Sequence, residues 1–216
     1  MFHEDFRTTS ARLLLSLGAV LLAAPCWSEA QIRLIKDLRP GASGIALHRI
    51  ETGDSLAYVI AEDAFLDYRL YRTDGSAEGS YELCPVYSYY ASGPAQLLAT
   101  IGDRAVFVRN IAGTLQLWQS NGTVAGTGLV ANLVGETDTL NAPGNFLSVG
   151  NRVFFTLGQG LLHATDGTSG GTGLVVNLYT EYGISSPGSA PGNFTRMFCA
   201  HEGDLCFVAD GVDVWR

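Results

Sequence analysis

"LWQSNGTVAGTGLVANL" fills residues 117–133, and "LHATDGTSGGTGLVVNL" fills residues 162–178. The two align position by position. An apolar residue opens a short run that ends in a hydroxyl residue; Asx-Gly-Thr follows, then two variable residues and Gly-Thr, and the unit closes on Gly-Leu-Val-x-Asn-Leu. An Asp or Asn side chain can accept the backbone N–H two residues on, so Asx-Gly marks a turn. The glycine supplies the left-handed backbone that such a turn needs. The flanking runs are too short for helices and match strands of five or six residues. A third copy, "LYRTDGSAEGS" (70–80), places Gly75, Gly122 and Gly167 at intervals of 47 and 45 residues. The turn residues of this series are therefore Asp74 and Gly75, Asn121 and Gly122, and Asp166 and Gly167.

A second series keeps step with the first. Gly53-Asp54, Gly102-Asp103, Gly150-Asn151 and Gly203-Asp204 recur at intervals of 49, 48 and 53 residues, each between two apolar runs. A Gly-Asx pair between β-prone runs is a hairpin signal. Interleaving the series gives four short strands per unit, as in the blade of a β-propeller, because a small sheet with two apolar faces needs a neighbour on each. The reading is an all-β propeller domain over 31–216, with blades near 45–84, 95–133, 145–178 and 195–216. "RLIKDL" (33–38) resembles the fourth-strand segments "GLVANL" and "GLVVNL". It is expected either to complete the last blade beside 212–216, closing a four-bladed ring, or to belong to an open segment of a larger propeller. Tyr58, Phe107 and Phe155 are expected at one strand position, packing blade against blade, and Phe207 is the aromatic of the corresponding run in the last unit.

The combined pattern resembles the ELWxxDGT repeat proteins, in which Trp-x-x-Asp-Gly-Thr-x-x-Gly-Thr precedes a strand and then Pro-Gly. Leu117–Thr127 and Leu162–Thr172 match best, and "LIKDLRPG" (34–41) matches the element that follows. Tyr71 and His163 replace Trp118 in the sister copies, and Asn121 stands where the pattern has Asp. The resemblance implies secreted or surface-associated bacterial proteins built as propellers. It supplies no catalytic residue.

Residues 1–30 read differently. Arg7 and Arg12 precede the apolar run 13–24, and Ser28-Glu29-Ala30 offers small residues at a cleavage point, the pattern of a secretory signal. The run is short of the ~20 residues that span a bilayer. Cleavage after Ala30 would remove three acidic and two basic residues and take the net charge from −8 to −7. An acidic chain whose single lysine is Lys36 has no means of holding phosphates or an anionic membrane surface, so nucleic acid and membrane insertion are excluded as partners. Export permits disulfides, and Cys199 and Cys206 flank six residues as opposed positions of a hairpin would. A Cys199–Cys206 bridge is the expectation, with Cys84 a small buried hydrophobe.

Gly53-Asp54-Ser55-Leu56 spells the head of the nucleophile block of the GDSL esterases. In those enzymes a strand leads into the motif, a helix follows, and Asp-x-x-His comes later. Here a β-prone run follows and Asp-x-x-His is absent, so Ser55 reads as a hairpin residue. His48, His163 and His201 lack partners at ligand spacing, and His201 is placed in the last hairpin loop. Asp74, Asn121 and Asp166 offer at most one carboxylate per turn, against the six to eight oxygens of a calcium site, and read as turn caps without a metal or cofactor. Glu62, Asp63 and Asp67 form one acidic loop, and the tyrosines of "VYSYYASG" (86–93) lie in a connection, where binding residues concentrate. The function expected is a secreted, periplasmic or cell-surface scaffold, not an enzyme, that binds a protein or carbohydrate. The alternatives are a propeller glycosidase or lyase and a fragment of a larger repeat protein.

Overall fold

The computed structural model describes residues 34–38, 46–62, 67–87, 97–111, 114–133, 143–157, 161–182, 198–209 and 213–216. Residues 35–216 form one compact unit. Its first sheet consists of β1 (Ala46–Thr52), β2 (Ala57–Glu62), β3 (Tyr68–Thr73) and β4 (Tyr81–Tyr87). The second has β5 (Leu98–Ile101), β6 (Arg104–Ile111), β7 (Thr114–Ser120) and β8 (Thr127–Asn132). The third has β9 (Pro143–Val149), β10 (Arg152–Leu157), β11 (Leu161–Thr165) and β12 (Gly173–Asn177), followed by a five-residue helix, α1 (Leu178–Tyr182). The fourth has β13 (Phe198–His201), β14 (Asp204–Ala209) and β15 (Asp213–Trp215). Every sheet is an antiparallel meander in sequence order. The all-β repeat of four-stranded units is thus present in three copies, with a fourth of three strands.

Consecutive sheets touch through β1 and β5, β4 and β6, β5 and β9, and β9 and β13. Side chains alternate across each strand, so β6 and β10, the second strands of the two inner sheets, each have one face toward the following sheet and one toward the preceding sheet. Tyr58 and Ile60 meet Ala105 and Phe107 in one core, and Val106 and Val108 meet Val153 and Phe155 in the next. Phe154 meets Leu205 and Phe207 in the third. Tyr58, Phe107 and Phe155 are wholly buried.

The turns correct the sequence alignment in two of four places. Gly102-Asp103 and Gly150-Asn151 are two-residue turns with glycine first, at φ 54° and 59°. In sheet four His201 pairs with Asp204, so the turn is Glu202-Gly203 and both residues are left-handed. His201 therefore ends β13 and does not lie in the loop. In sheet one Thr52 pairs with Ala57 and Gly53 N–H donates to Leu56 O, leaving Asp54-Ser55 as the turn. The shift carries into the strand. Phe107 and Phe155 lie opposite Trp118 and His163, and Phe207 lies opposite position 215, whereas the residue opposite Tyr71 is Val59. Tyr58 thus looks forward to the next sheet, and the three phenylalanines look back.

Ile35–Asp37 carries no strand, and the fourth sheet ends at β15 among the described residues. Lys36 Nζ instead donates to Ser80 O of the first sheet, 2.6 Å away. Among the described residues the four sheets are separate, and residues 34–38 pair as a strand with none of them.

Candidate functional site

The polar chemistry of the chain is concentrated where strands turn and sheets meet. Three turns are built alike. In the second sheet Asn121 Oδ1 accepts from Thr123 N (3.1 Å) and Thr123 Oγ1 (2.8 Å), Gly126 N donates to Thr123 Oγ1 (2.9 Å), and Thr127 Oγ1 donates to Thr123 O (2.7 Å). Gly122 N donates to Ser120 Oγ, which also bonds Thr127 Oγ1. The same bonds recur at Asp74–Ser80 and Asp166–Thr172. Each letter of the repeat therefore has a cause. The first glycine is left-handed, at φ 86°, 86° and 84° for Gly75, Gly122 and Gly167. The second leaves room for the Asx side chain: a Cβ at Gly79, Gly126 or Gly171 would fall 1.9–2.1 Å from Asp74, Asn121 or Asp166. Hydrogen bonds from Ser76 and Thr168 hold the Asp74 and Asp166 carboxyls below their ordinary range.

The turns also join neighbouring sheets. Gly122 O accepts from Tyr81 Oη (2.9 Å) and Arg72 Nη1 (3.4 Å), and Gly122 sits against Leu56 and Tyr58. Asp166 O accepts from Arg104 Nη1 of the preceding sheet at 3.1 Å. At the other hairpins, Asp103 caps the turn of sheet one: Oδ1 accepts from Ser55 N (2.6 Å) and Leu56 N (3.0 Å), and Oδ2 from Ser55 Oγ (2.5 Å). Gly53 is required there for proximity rather than for φ, since a Cβ would meet Gly102 O at 2.3 Å. A row of hydroxyls crosses the first strands of three sheets. Thr100 Oγ1 donates to Thr52 O, and Ser148 Oγ donates to Thr100 O. Ala200 has the equivalent register and no hydroxyl.

Ser55 beside Asp103 has half the look of a catalytic pair. The serine donates to the carboxylate directly, with no imidazole between them, and the bonds from Ser55 hold the Asp103 carboxyl down, which makes it a poor base. Tyr58 Oη donates to Asp103 O, and burial, then the Asp103 charge, push its phenol up to about 12. The histidines remain apart. His48 Nε2 meets Glu62 Oε2 at 2.5 Å and its ring lies 4.8 Å from that of Tyr68. His163 stacks on Phe155, and burial lowers its pKa. His201 is exposed. Asp63 and residues 88–93 lie outside the described residues, and no cluster of three or more His, Cys, Asp or Glu suited to a metal occurs among the described ones.

Among the described residues Cys84, Cys199 and Cys206 are free thiols, so the expected Cys199–Cys206 bridge is not found. Cys199 and Cys206 do face each other across β13 and β14. Counting from the two-residue turn, theirs is a hydrogen-bonded pair, whose Cβ atoms stand roughly 5.5 Å apart against the ~3.8 Å of a disulfide. Cys84 is half-buried, and desolvation pushes its thiol up to about 11. Sequence reasoning missed Asp103 and Arg104 as joints; for Asp103 the separations of 48 and 47 residues from Ser55 and Leu56, about one repeat length, were the available signal, whereas Arg104 reaches Asp166 across 62 residues. It also missed Arg109, whose guanidinium lies over the Trp118 ring at 4.1 Å.

No family model matches the chain, and no curated protein matches it. Among solved structures it is similar to the crystal structure of the computationally designed Ika4 protein, at 13% identity and a TM-score of 0.49, over 86% of this chain and 97% of that one.

Proposed function

We propose that the chain is an exported, non-catalytic repeat protein, its sheets arranged as a propeller or part of one, that serves as a scaffold for a protein or carbohydrate ligand. One observation supports this most. Ser55, Asp74 and Asp166, which the sequence offers for catalysis or metal binding, and Asp103, which the structure sets beside Ser55, are each engaged in hydrogen bonds that hold a turn or join two sheets. The resemblance to ELWxxDGT repeats supports the same reading, since it brings no catalytic residue. Binding by such a scaffold falls to connections between strands, because the strands themselves are occupied with stacking.

The test pairs a glycan array with an ester-substrate panel on purified protein. The expected outcome is selective glycan retention, or none with a protein ligand instead, and ester turnover that Ser55→Ala leaves unchanged. Esterase activity abolished by Ser55→Ala would remove the proposal.

A further inference from the structure

Arg109 of β6 stands where the sister sheets have an apolar residue. It lies on the same face of the strand as Phe107, toward sheet one, and begins a cross-strand row: Arg109 is opposite Gln116, and Gln116 is opposite Asn132. In sheet three the same row reads Leu157, Leu161 and Asn177, with Leu157 buried and Leu161 packed against the core shared with sheet two. In sheet one it reads Ala61, Arg69 and Pro85, and there Arg69 is paired with Glu82 at 2.7 Å. A leucine at 109 would therefore satisfy the fold, and the arginine needs another reason.

Its surroundings hold the guanidinium without satisfying it. The group lies over the Trp118 ring at 4.1 Å, and its charge acts on the Cys84 thiol of β4 against the larger effect of burial. Arg109 is half-buried, and its Nε is buried with no hydrogen-bond partner. Arg49, Arg69, Arg72 and Arg216 each sit on a carboxylate, whereas among the described residues no carboxylate and no acceptor meets Arg109. The chain has 21 acidic residues against 13 basic ones, so carboxylates are not in short supply. A stranded donor on a half-buried cation marks a place where a ligand or ion belongs.

The rest of the row supplies further donors. Trp118 Nε1 donates to Gln116 Oε1 (2.9 Å) and Gln116 Nε2 donates to Asn132 Oδ1 (2.9 Å), a chain that fixes both amides. It leaves Nδ2 of exposed Asn132 with no acceptor among the described residues. β6 and β8 are two strand spacings apart, about 9.5 Å, so Arg109 and Asn132 can hold opposite ends of one small ligand. Both ask for oxygens that accept: a planar carboxylate suits the guanidinium fork, and hydroxyls suit the amide. β6 and β7 are each paired on both sides, so they offer a ligand side chains and no free main chain, unlike the open edge that takes up a peptide.

We infer that Arg109 and Asn132, positioned by Trp118 and Gln116, form a binding site for a sugar acid, with its carboxylate on Arg109 and its hydroxyls at Asn132. This rests on the reading of the chain as a binding scaffold and gives that scaffold a ligand class. One arginine on an acidic chain suits a single negative charge, so a uronate fits better than a phosphorylated ligand. The stacked guanidinium and the tethered amide are oriented before the ligand arrives, which lowers the cost of binding.

Titration calorimetry of the purified protein with glucuronate and galacturonate, beside glucose, galactose, acetate and inorganic phosphate, tests this. At least one uronate is expected to bind at one site per chain, with its neutral parent sugar, acetate and phosphate each bound about tenfold or more weakly. Arg109→Leu, which places in sheet two the residue of sheet three, is expected to lower uronate affinity about tenfold or more and to leave the unfolding midpoint at or above that of the parent. Asn132→Ala, at an exposed position, is expected to weaken the uronate toward the affinity of acetate, an arm that decides the matter even where Arg109→Leu fails to fold. Binding of neither uronate, acetate or phosphate bound as tightly as the uronate, or full uronate affinity in Arg109→Leu or Asn132→Ala would each overturn the inference. A neutral glycan or a protein retained by a chain that ignores both uronates would overturn it too, while leaving the scaffold reading in place.

Discussion

Sheets two and four each join their first two strands by a two-residue turn and carry an inward phenylalanine on the second strand, yet they are held very differently. Sheet two has four strands. Its turn at Asn121–Thr127 docks on Tyr81 and Arg72 of the sheet before, Asp103 caps that sheet's hairpin, and Phe107 is wholly buried. Among the described residues sheet four has three strands, β13 is largely exposed, Phe207 lines the groove against sheet three, and Ala200 stands where Thr52, Thr100 and Ser148 take part in a row of hydrogen bonds. A repeat unit is therefore only as firm as what its neighbours lend it, as expected where each small sheet buries its faces on the next.

Truncation of the paired phenylalanines should expose the contrast most strongly. Phe107→Ala is expected to cost roughly 3–5 kcal/mol, the range for a fully buried aromatic, and Phe207→Ala clearly less, because its cavity joins a groove already open. Denaturant midpoints of the two variants measure this, and equal losses would erase the distinction. Next comes Ser120→Ala. It strands the Gly122 N–H in a buried position and should cost about 1–3 kcal/mol. Ala200→Ser should act in the opposite sense, adding a donor toward Ser148 O and raising the unfolding free energy by up to about 1 kcal/mol.

The acid response sharpens the comparison further. Asp74, Asp103 and Asp166 have carboxyls held below their ordinary value, so the stability they contribute is complete above the unfolded pKa and is lost as pH falls through the folded one. Asn121 fills the same role without titrating. Asn121→Asp should thus leave stability near neutral pH almost unchanged while steepening its fall below about pH 4. The smallest effect concerns thiol labelling: at neutral pH exposed Cys199 should react promptly with an alkylating reagent, and half-buried Cys84, its pKa raised to about 11, slowly.

Much of the fold was legible because its spacing repeats. Gly75, Gly122 and Gly167 each proved left-handed, and the strands lie on either side of the turns they mark. The Gly-Asx series was legible only to within one residue. A glycine announces a turn without saying which place in it the glycine takes: Gly102 and Gly150 come first, Gly203 comes second behind a left-handed Glu202, and Gly53 precedes the turn altogether. That single step moved Tyr58 to the opposite face from Phe107. Contacts such as Asp103 with Ser55 were hidden for another reason. Nothing local marks an aspartate as the cap of the neighbouring unit, and only the repeat length ties the two positions together.

The central claim is that the repeat's glycines and Asx residues are dictated by one turn geometry that also joins the sheets. Unfolding of Gly126→Ala beside Gly128→Ala tests it most directly, since two residues apart in the same unit one Cβ would fall 2.0 Å from Asn121 Oδ1 and the other would meet nothing within 4 Å. The account predicts a loss of about 1–3 kcal/mol for Gly126→Ala, as Asn121 is pushed off its partners, and a change within about 0.5 kcal/mol for Gly128→Ala. Equal effects at the two positions would contradict it.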